Sequence, residues 1–200
     1  GPGLGMDIDV FDDAGRSMRG KTGHLVCKQP APSMTRGFWK DNDRYLTTYW
    51  SRWPDIWFHG DWARIDEDGY WFLHGRSDDT MKIAGRRVGP AEIESVLIGH
   101  PSVSEAAVIG VPDPVKGEAI VSFVVLKPNY PPDAAILEAE IIKIMGKTFR
   151  PKAIEFVSEL PKTRSAKIVR RIIREKYLGK PLGDLTSIEN PRALDEIQKG

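Results

Sequence analysis

The sequence predicts an α+β fold in two units, a β-rich unit followed by a mixed unit of strands and helices. All six tryptophans lie before residue 72, and turn signals at residues 12–15 and 66–69 separate short β-like runs there. This pattern predicts an antiparallel, barrel-like sheet. Beyond residue 78, the hydrophobic period changes repeatedly between that of a strand and that of a helix. With 200 residues, 40% of them hydrophobic, the chain is long enough for one or two cores.

In the second unit, each element is predicted from its apolar period and its end signals. Ile93, Val96 and Leu97 mark one face of a first helix, and Gly146 is placed to end a second. The predicted order is a hairpin at 81–88, a helix at 91–98, strands at 106–111 and 119–126, a helix at 134–145, a strand at 153–157 and a last helix near Lys167. Residues 182–200 are expected to be irregular, with a short terminal helix.

The last predicted helix places a lysine where a cation is unfavourable. Ser165 is predicted as its N-cap, and the spacing of the isoleucines that follow puts Lys167 in the first turn. The helix dipole disfavours a lysine there by up to roughly 1 kcal/mol, unless an anion is nearby. Free backbone N–H groups and an ammonium would together bind a phosphate or a developing negative charge. A solvated lysine on a basic helix gives the same pattern.

Composition excludes several classes of protein. The net charge of +1 indicates no polyanionic partner, and the single cysteine, Cys27, excludes an intramolecular disulfide and suits a reducing cytoplasm. No apolar run approaches the roughly 18 to 20 residues of a membrane span, and we expect no signal peptide. Because the chain begins with Gly1-Pro2-Gly3 rather than methionine, we expect an expressed piece or a processed product of a longer protein.

Several motifs, in order, resemble the signatures of one family. They are HGDWARIDEDGYWFLHGRSDD at 59–79, AGRRVGPAEIE at 84–94, HPSVSEAAVIGVPD at 100–113 and PKTRSAKI at 161–168. Together they resemble the adenylate-forming superfamily, which includes acyl-CoA synthetases, firefly luciferase and peptide-synthetase adenylation domains. The chain is most similar to the AMP-forming acetyl-CoA synthetases, whose C-terminal end also resembles GDLTSIENP at 183–191.

The resemblance implies a domain organisation. Residues 1–77 would be the β-rich, barrel-like remnant of a large N-terminal domain. Residues 78–182 would be the small, mobile C-terminal α+β domain, with a mixed sheet and flanking helices, and 183–200 a tail. Asp78 would be the hinge, since a short polar residue tolerates unusual backbone angles, although a plain turn aspartate fits the same pattern. As the C-terminal portion of a longer enzyme, the chain is expected to be inactive alone.

The resemblance also assigns the nucleotide contacts. Asp61 and Arg76 would bind the ribose hydroxyls of ATP and AMP, which suits a carboxylate acceptor and a planar guanidinium donor. Arg87 would contact the AMP phosphate. Lys167 would be the catalytic lysine, contacting the acyl carboxylate and the α-phosphate during adenylation, where an ammonium offsets the repulsion between two anions.

The CoA contacts follow the family less closely. Gly85 would line the tunnel for the pantetheine arm, although a tight turn with positive φ also calls for glycine. Ile142 stands where relatives often carry an arginine for the CoA phosphate, so Lys143, Lys147 or Arg150 are the candidates in its place. Each is also an ordinary solvated charge. Ala166 replaces a common family glycine, and is expected to be harmless because alanine is the better helix former.

These implications predict a ligase that converts acetate, ATP and CoA into acetyl-CoA, AMP and pyrophosphate through acetyl-AMP. Mg²⁺ would assist, with ligands mostly outside this chain and no metal ligand assigned within it. A lysine acetyltransferase and deacetylase acting on Lys167 are expected partners. Another short or medium-chain acid such as propionate remains an alternative. The basic stretch at 162–176 leaves a second one, a catalytically silent nucleotide- or nucleic-acid-binding module.

Overall fold

The computed structural model, which describes residues 1–198 and Gly200, divides into two units, Gly1–Asp78 and Asp79–Gly200. The division lies one residue beyond the boundary that the sequence predicts between 77 and 78. Within the described residues, no helix is both long enough and apolar enough to cross a bilayer.

The first unit is built on a four-stranded sheet in which every neighbouring pair is antiparallel, as the turn signals predict. In chain order, which is also the order in the sheet, its strands are β1 (Ile8–Phe11), β2 (Gly23–Cys27), β3 (Trp57–Ile65) and β4 (Trp71–Arg76). A helix that the sequence analysis missed, α1 (Asn42–Tyr49), lies between β2 and β3. Asp41 caps it by accepting a hydrogen bond from the Arg44 N–H at 3.2 Å.

The turn between β3 and β4 fixes the pairing of these two strands. The Asp66 carboxylate accepts hydrogen bonds from the N–H groups of Asp68 and Tyr70, at 3.1 and 2.8 Å. Gly69 has a φ of +83°, a left-handed conformation that glycine adopts without strain. The register that results places Asp61 opposite Arg76.

The second unit contains a five-stranded mixed sheet, as predicted. Its strands are β5 (Met81–Ile83), β6 (Arg86–Val88), β7 (Val103–Asp113), β8 (Gly117–Leu126) and β9 (Ala153–Phe156). The order β6-β5-β8-β7 is antiparallel throughout, while β9 runs parallel to β8.

Helices cover both faces of this sheet because residues of the long strands alternate between two cores. Ala106 and Val108 of β7 pack with α2 (Pro90–Gly99) and α3 (Ala134–Met145). Ala107 and Ile109 pack on the other face with α4 (Arg170–Tyr177). Single-turn 3-10 helices follow α3 at Lys147–Phe149 and precede the C-terminus at Pro191–Leu194.

The C-terminal segment is more ordered than the predicted irregular tail. Ile188, Leu194 and Ile197 are each less than 10% exposed and belong to the same core as α4. The segment is therefore part of the second unit, and the predicted short terminal helix corresponds to the 3-10 turn at Pro191–Leu194.

Candidate functional site

Asp61 and Arg76 are direct neighbours across the β3–β4 pair. The pairing is irregular between Asp61 and Ala63, which marks a local bulge of the kind that redirects side chains. Gly60 has a φ of +86°, and a Cβ at this position would lie 3.5 Å from Nη2 of Arg76, so the guanidinium lies directly over the glycine. His59 Nδ1 lies 3.0 Å from Asp61 Oδ2. The strand register thus brings together the two residues assigned to ribose.

Arg76 is tied to the predicted hinge residue. Its guanidinium donates from Nε to Asp78 Oδ1 at 2.9 Å and from Nη2 to Asp78 Oδ2 at 3.0 Å. Ser77, between them, donates from its N–H and its hydroxyl to the Gly60 carbonyl at 2.8 and 3.0 Å. These contacts hold the end of β4 against β3, within the first unit.

Gly85 lies in the hairpin turn between β5 and β6. Ala84 and Gly85 have φ values of +48° and +81°, the two positive angles of the tight turn that suits a twisted hairpin. A Cβ at Gly85 would meet nothing within 4 Å, so the turn needs glycine for its backbone angle and not for internal packing. Arg87 is exposed on β6. Arg86, which the sequence left without a role, lies 5.1 Å from the centre of the Phe149 ring.

The structure corrects the predicted environment of Lys167. Helix α4 begins at Arg170 with Val169 as its N-cap, so Ser165 is not a cap and Lys167 is not in the first turn. Lys167 lies on an exposed turn instead, where its carbonyl accepts from the Thr163 N–H at 2.9 Å. The prediction failed because Ile168, counted as part of a helical face, is in an antiparallel bridge with Lys162. The helix dipole therefore gives no reason to expect an anion at Lys167.

Ala166 adopts a left-handed conformation, with a φ of +60°. The expectation that alanine is harmless here rested on a helix that does not extend to this residue, so that reason was wrong. In a turn with positive φ, glycine is the less strained residue. The family's usual glycine is therefore explained by backbone conformation.

Helix α4 begins with a residue that the sequence analysis did not assign. Arg170 donates to the buried Glu94 carboxylate of α2 through Nε at 2.7 Å and Nη2 at 2.5 Å. Glu94 also accepts from the Val108 N–H at 2.9 Å. The hydrogen bonds to Glu94 raise the pKa of Arg170 and outweigh burial, which lowers it. Buried charges are rarely stable without such partners, so an acidic residue on the apolar face of α2 was the available signal.

Of the three candidates for the CoA phosphate, Lys143 and Arg150 have acidic neighbours. Lys143 Nζ lies 3.1 Å from Glu140 on the same helix, and Arg150 Nε lies 3.1 Å from Glu138. A phosphate would have to compete with these carboxylates, which are themselves partly solvated. The two cations pair with different glutamates.

The basic stretch at 162–176 is largely used inside the second unit. Lys162 pairs with Glu105 at 2.6 Å, and Arg171 with Glu175 at 2.9 Å. Arg174 donates to the Gly110 carbonyl at 2.6 Å. With Arg170 held by Glu94, these cations do not form the open row that a nucleic-acid backbone requires.

Among the described residues, no group of three or more His, Cys, Asp or Glu side chains is placed to hold a metal ion.

Comparison with known proteins identifies the family of the chain. Residues 92–167 match the family model described as the AMP-binding enzyme C-terminal domain. Acetyl-coenzyme A synthetase of Pyrobaculum arsenaticum is 45% identical over 100% of this chain and 30% of its own length. The 3-hydroxypropionyl-coenzyme A synthetase of Metallosphaera sedula is also 45% identical, over 98% of this chain and 30% of its own. The chain thus spans about a third of the length of these relatives.

The acetoacetyl-CoA synthetase from Streptomyces lividans is similar in structure, with a TM-score of 0.85 and 31% identity over 97% of this chain and 30% of that one. Sequence and structure agree along nearly the whole chain. The chain therefore belongs to the adenylate-forming superfamily and includes, at residues 92–167, the AMP-binding enzyme C-terminal domain.

Proposed function

We propose that this chain is the C-terminal portion of an acetate–CoA ligase. The observation that carries the proposal is the pairing of Asp61 with Arg76 across β3 and β4. In such an enzyme, this pair would receive the ribose hydroxyls of ATP, the carboxylate accepting and the guanidinium donating.

The reaction would proceed in two steps. In the first, a carboxylate oxygen of the acid attacks the α-phosphorus of ATP, and pyrophosphate leaves with the electron pair of the broken P–O bond. In the second, the thiolate of CoA attacks the acyl carbon, and AMP leaves. Lys167 would act in the first step, where its ammonium stabilises charge between two anions, and Arg87 would contact the phosphate.

Acetate is the acid we favour, since acetyl-coenzyme A synthetases are among the relatives that match the whole chain. A relative of equal identity is named for 3-hydroxypropionate, so identity over this region does not select the acid. Propionate or another short acid is thus the competing substrate, and the comparison of acids below decides between them.

Between the two steps, the second unit would rotate about Asp78, with residues 1–77 remaining as the barrel-like end of a larger domain and residues 183–200 moving with the second unit. Gly85 would then face the pantetheine arm of CoA, in keeping with the empty space beside its Cα. Lys143 or Arg150 would contact the CoA phosphate by exchanging a glutamate for it. Mg²⁺ would be held mostly by residues outside this chain.

Lys167 is also a candidate for reversible acetylation, because its side chain is exposed on a turn that an acetyltransferase or deacetylase can reach. Acetylation would remove the positive charge that the first step needs. The thiol of Cys27 is buried and forms no disulfide, which is compatible with a cytoplasmic enzyme.

The test is an assay of both steps in the full-length enzyme. Pyrophosphate release is measured with acetate, propionate and butyrate, and thioester formation is measured from supplied acetyl-AMP and CoA. Lys167→Ala should abolish the first step and spare the second. Arg164→Ala, which removes another exposed cation of the same turn, is the matched control and should affect neither.

Preference for acetate with this split between steps supports the proposal. Preference for propionate or butyrate would change the proposed acid substrate but leave the proposed ligase reaction in place. If no acid releases pyrophosphate from an enzyme that binds ATP, the ligase assignment is wrong.

A further inference from the structure

The turn that carries Lys167 is closed by its own backbone. We call residues 161–169 the lysine turn. The Val169 N–H donates to the Pro161 carbonyl at 3.0 Å, and the Ala166 N–H to the Thr163 carbonyl at 2.8 Å. These bonds fix the shape of the turn but not its position relative to the rest of the second unit. That position depends on what holds the extended residues at the start of the turn, Lys162 and Thr163.

The C-terminal segment pairs with Lys162 and Thr163. Thr163 forms an antiparallel bridge with Ile188, and the Glu189 N–H donates to the Lys162 carbonyl at 2.9 Å. The Lys162 N–H, in return, donates to the side-chain oxygen of Asn190 at 2.8 Å. Residues 188–190 therefore lie beside the lysine turn as an additional strand.

Both the oxygen and the nitrogen of the Asn190 side-chain amide form hydrogen bonds with the lysine turn or with the residues just before it. While its oxygen accepts from Lys162, its nitrogen donates to the Leu160 carbonyl at 3.0 Å and to the Glu159 carboxylate at 2.6 Å. A carboxylate cannot donate and an alanine can do neither, so only an amide satisfies this arrangement.

Asn190 makes these contacts in place of a more common one. It occupies the N-cap position of the 3-10 helix at Pro191–Leu194, where asparagine usually accepts from its own helix. Here no side-chain cap bond is formed, and the amide faces the lysine turn. The neighbours of Asn190 are themselves fixed, because Ile188 and Leu194 are buried in the core beside α4.

We infer that Asn190 is a positioning residue for adenylation, which holds the base of the lysine turn so that Lys167 is presented in one place. The inference rests on the proposed function for the reaction, but not for the contact itself. A misplacement of about 1 Å in a reacting group can lower a rate a hundredfold. Loss of the hydrogen bonds made by the Asn190 side chain should therefore slow adenylation, which uses Lys167, more than thioester formation, which does not.

The experiment compares Asn190→Ala, Asn190→Asp and Glu196→Ala in the full-length enzyme. Glu196 is the matched control, because it ties the same C-terminal segment to Ser158 by accepting from its N–H at 2.6 Å and from its hydroxyl, away from the lysine turn. Amide hydrogen exchange of residues 159–169 is measured together with both reaction steps and the thermal midpoint.

We expect Asn190→Ala to accelerate exchange at Lys162 and to lower kcat for pyrophosphate release by ten- to a hundredfold, with thioester formation from acetyl-AMP within about twofold of wild type. Asn190→Asp keeps the acceptor for the Lys162 N–H, so its exchange rate and its kcat for pyrophosphate release should fall between those of wild type and Asn190→Ala. Glu196→Ala should leave exchange in the lysine turn and both steps near wild type.

Unchanged exchange at Lys162, or an equal loss of both steps in Asn190→Ala, would overturn the inference. If Glu196→Ala gives the same split between steps, the lysine turn is positioned by the C-terminal segment as a whole and Asn190 has no special role. If wild type releases no pyrophosphate while Asn190→Ala still loosens the turn, the proposed function fails and the structural role of Asn190 stands. The two failures are therefore distinguishable.

Discussion

Arg76 and Asp78 form a two-point ion pair, with N–O distances of 2.9 and 3.0 Å. Arg76 is the residue assigned to the ribose and Asp78 the residue assigned to the hinge. The Nε–Nη2 edge of the guanidinium that faces Asp78 is also the edge best suited to a bidentate acceptor. If Arg76 binds the nucleotide through that edge, binding would release Asp78. Occupancy of the proposed nucleotide site and freedom of the proposed hinge would then be linked through one side chain.

Asp78→Ala should therefore strengthen ATP binding by the full-length enzyme. The side chains are 49% and 64% exposed, so the pair contributes at most about 1 kcal/mol, equivalent to about fivefold in Kd. Titration calorimetry measures the change, and Asp68→Ala, which removes an exposed turn aspartate of the same unit, is the control. Weaker binding in Asp78→Ala would mean that Asp78 itself contributes to nucleotide binding.

The elements that the sequence predicted best are those whose signals are local. Helix α3 has the predicted bounds because Asp133 caps its start and Gly146, with a φ of +95°, ends it. Helix α1 was missed, although Asp41 and the aromatic residues Tyr45 and Tyr49 have the spacing of a capped amphipathic helix. The concentration of tryptophans in that region favoured strands throughout and concealed this signal.

The environment of Lys167 could not be predicted in the same way. The lysine turn depends on a bridge from Lys162 to Ile168 and on pairing with residues 188–190, which are distant in sequence. Isoleucine spacing alone does not distinguish a helix from a turn that enters one. The roles of Asp61, Arg76, Arg87 and Lys167 came from family resemblance. The contacts of Asp61 with His59 and of Arg76 with Asp78 required the structure.

Ala166→Gly should stabilise the second unit. A left-handed alanine is strained by about 1 to 2 kcal/mol, and glycine loses up to about 1 kcal/mol through the entropy of the unfolded chain. The expected net gain is about 0.5 to 1 kcal/mol, measured by urea unfolding. Ala139→Gly, at an exposed position in the middle of helix α3, should have the opposite sign, by about 1 kcal/mol of destabilisation. Destabilisation by both would contradict the turn conformation described for Ala166.

Substitutions at Gly85 separate backbone strain from obstruction of CoA. Asparagine tolerates positive φ, so Gly85→Asn adds a side chain with little strain, whereas Gly85→Leu adds both bulk and strain. If the position lines the pantetheine path, both variants should lower thioester formation by at least tenfold and spare pyrophosphate release. The control is Ala84→Asn, at the other left-handed position of the turn. Normal thioester formation in Gly85→Asn would leave Gly85 with a turn role alone.

The pair of Arg170 with Glu94 joins α4 to α2 immediately after the lysine turn. Arg170→Met would leave a buried carboxylate without its cation, which destabilises proteins by about 3 to 5 kcal/mol. Adding Glu94→Gln should restore most of this loss, because a neutral amide still accepts from the Val108 N–H. Urea unfolding of the two single variants and the double variant gives the coupling energy.

A coupling energy near zero in this cycle would show that the pair contributes no more than an exposed ion pair. Arg171→Met is the control on the same helix, since its guanidinium is 60% exposed and pairs with Glu175 one turn away. Its loss should cost less than about 0.5 kcal/mol. Because Arg170 is the first residue of α4 and Lys167 precedes it by three positions, a large coupling would also mean that the C-terminal end of the lysine turn is anchored to α2.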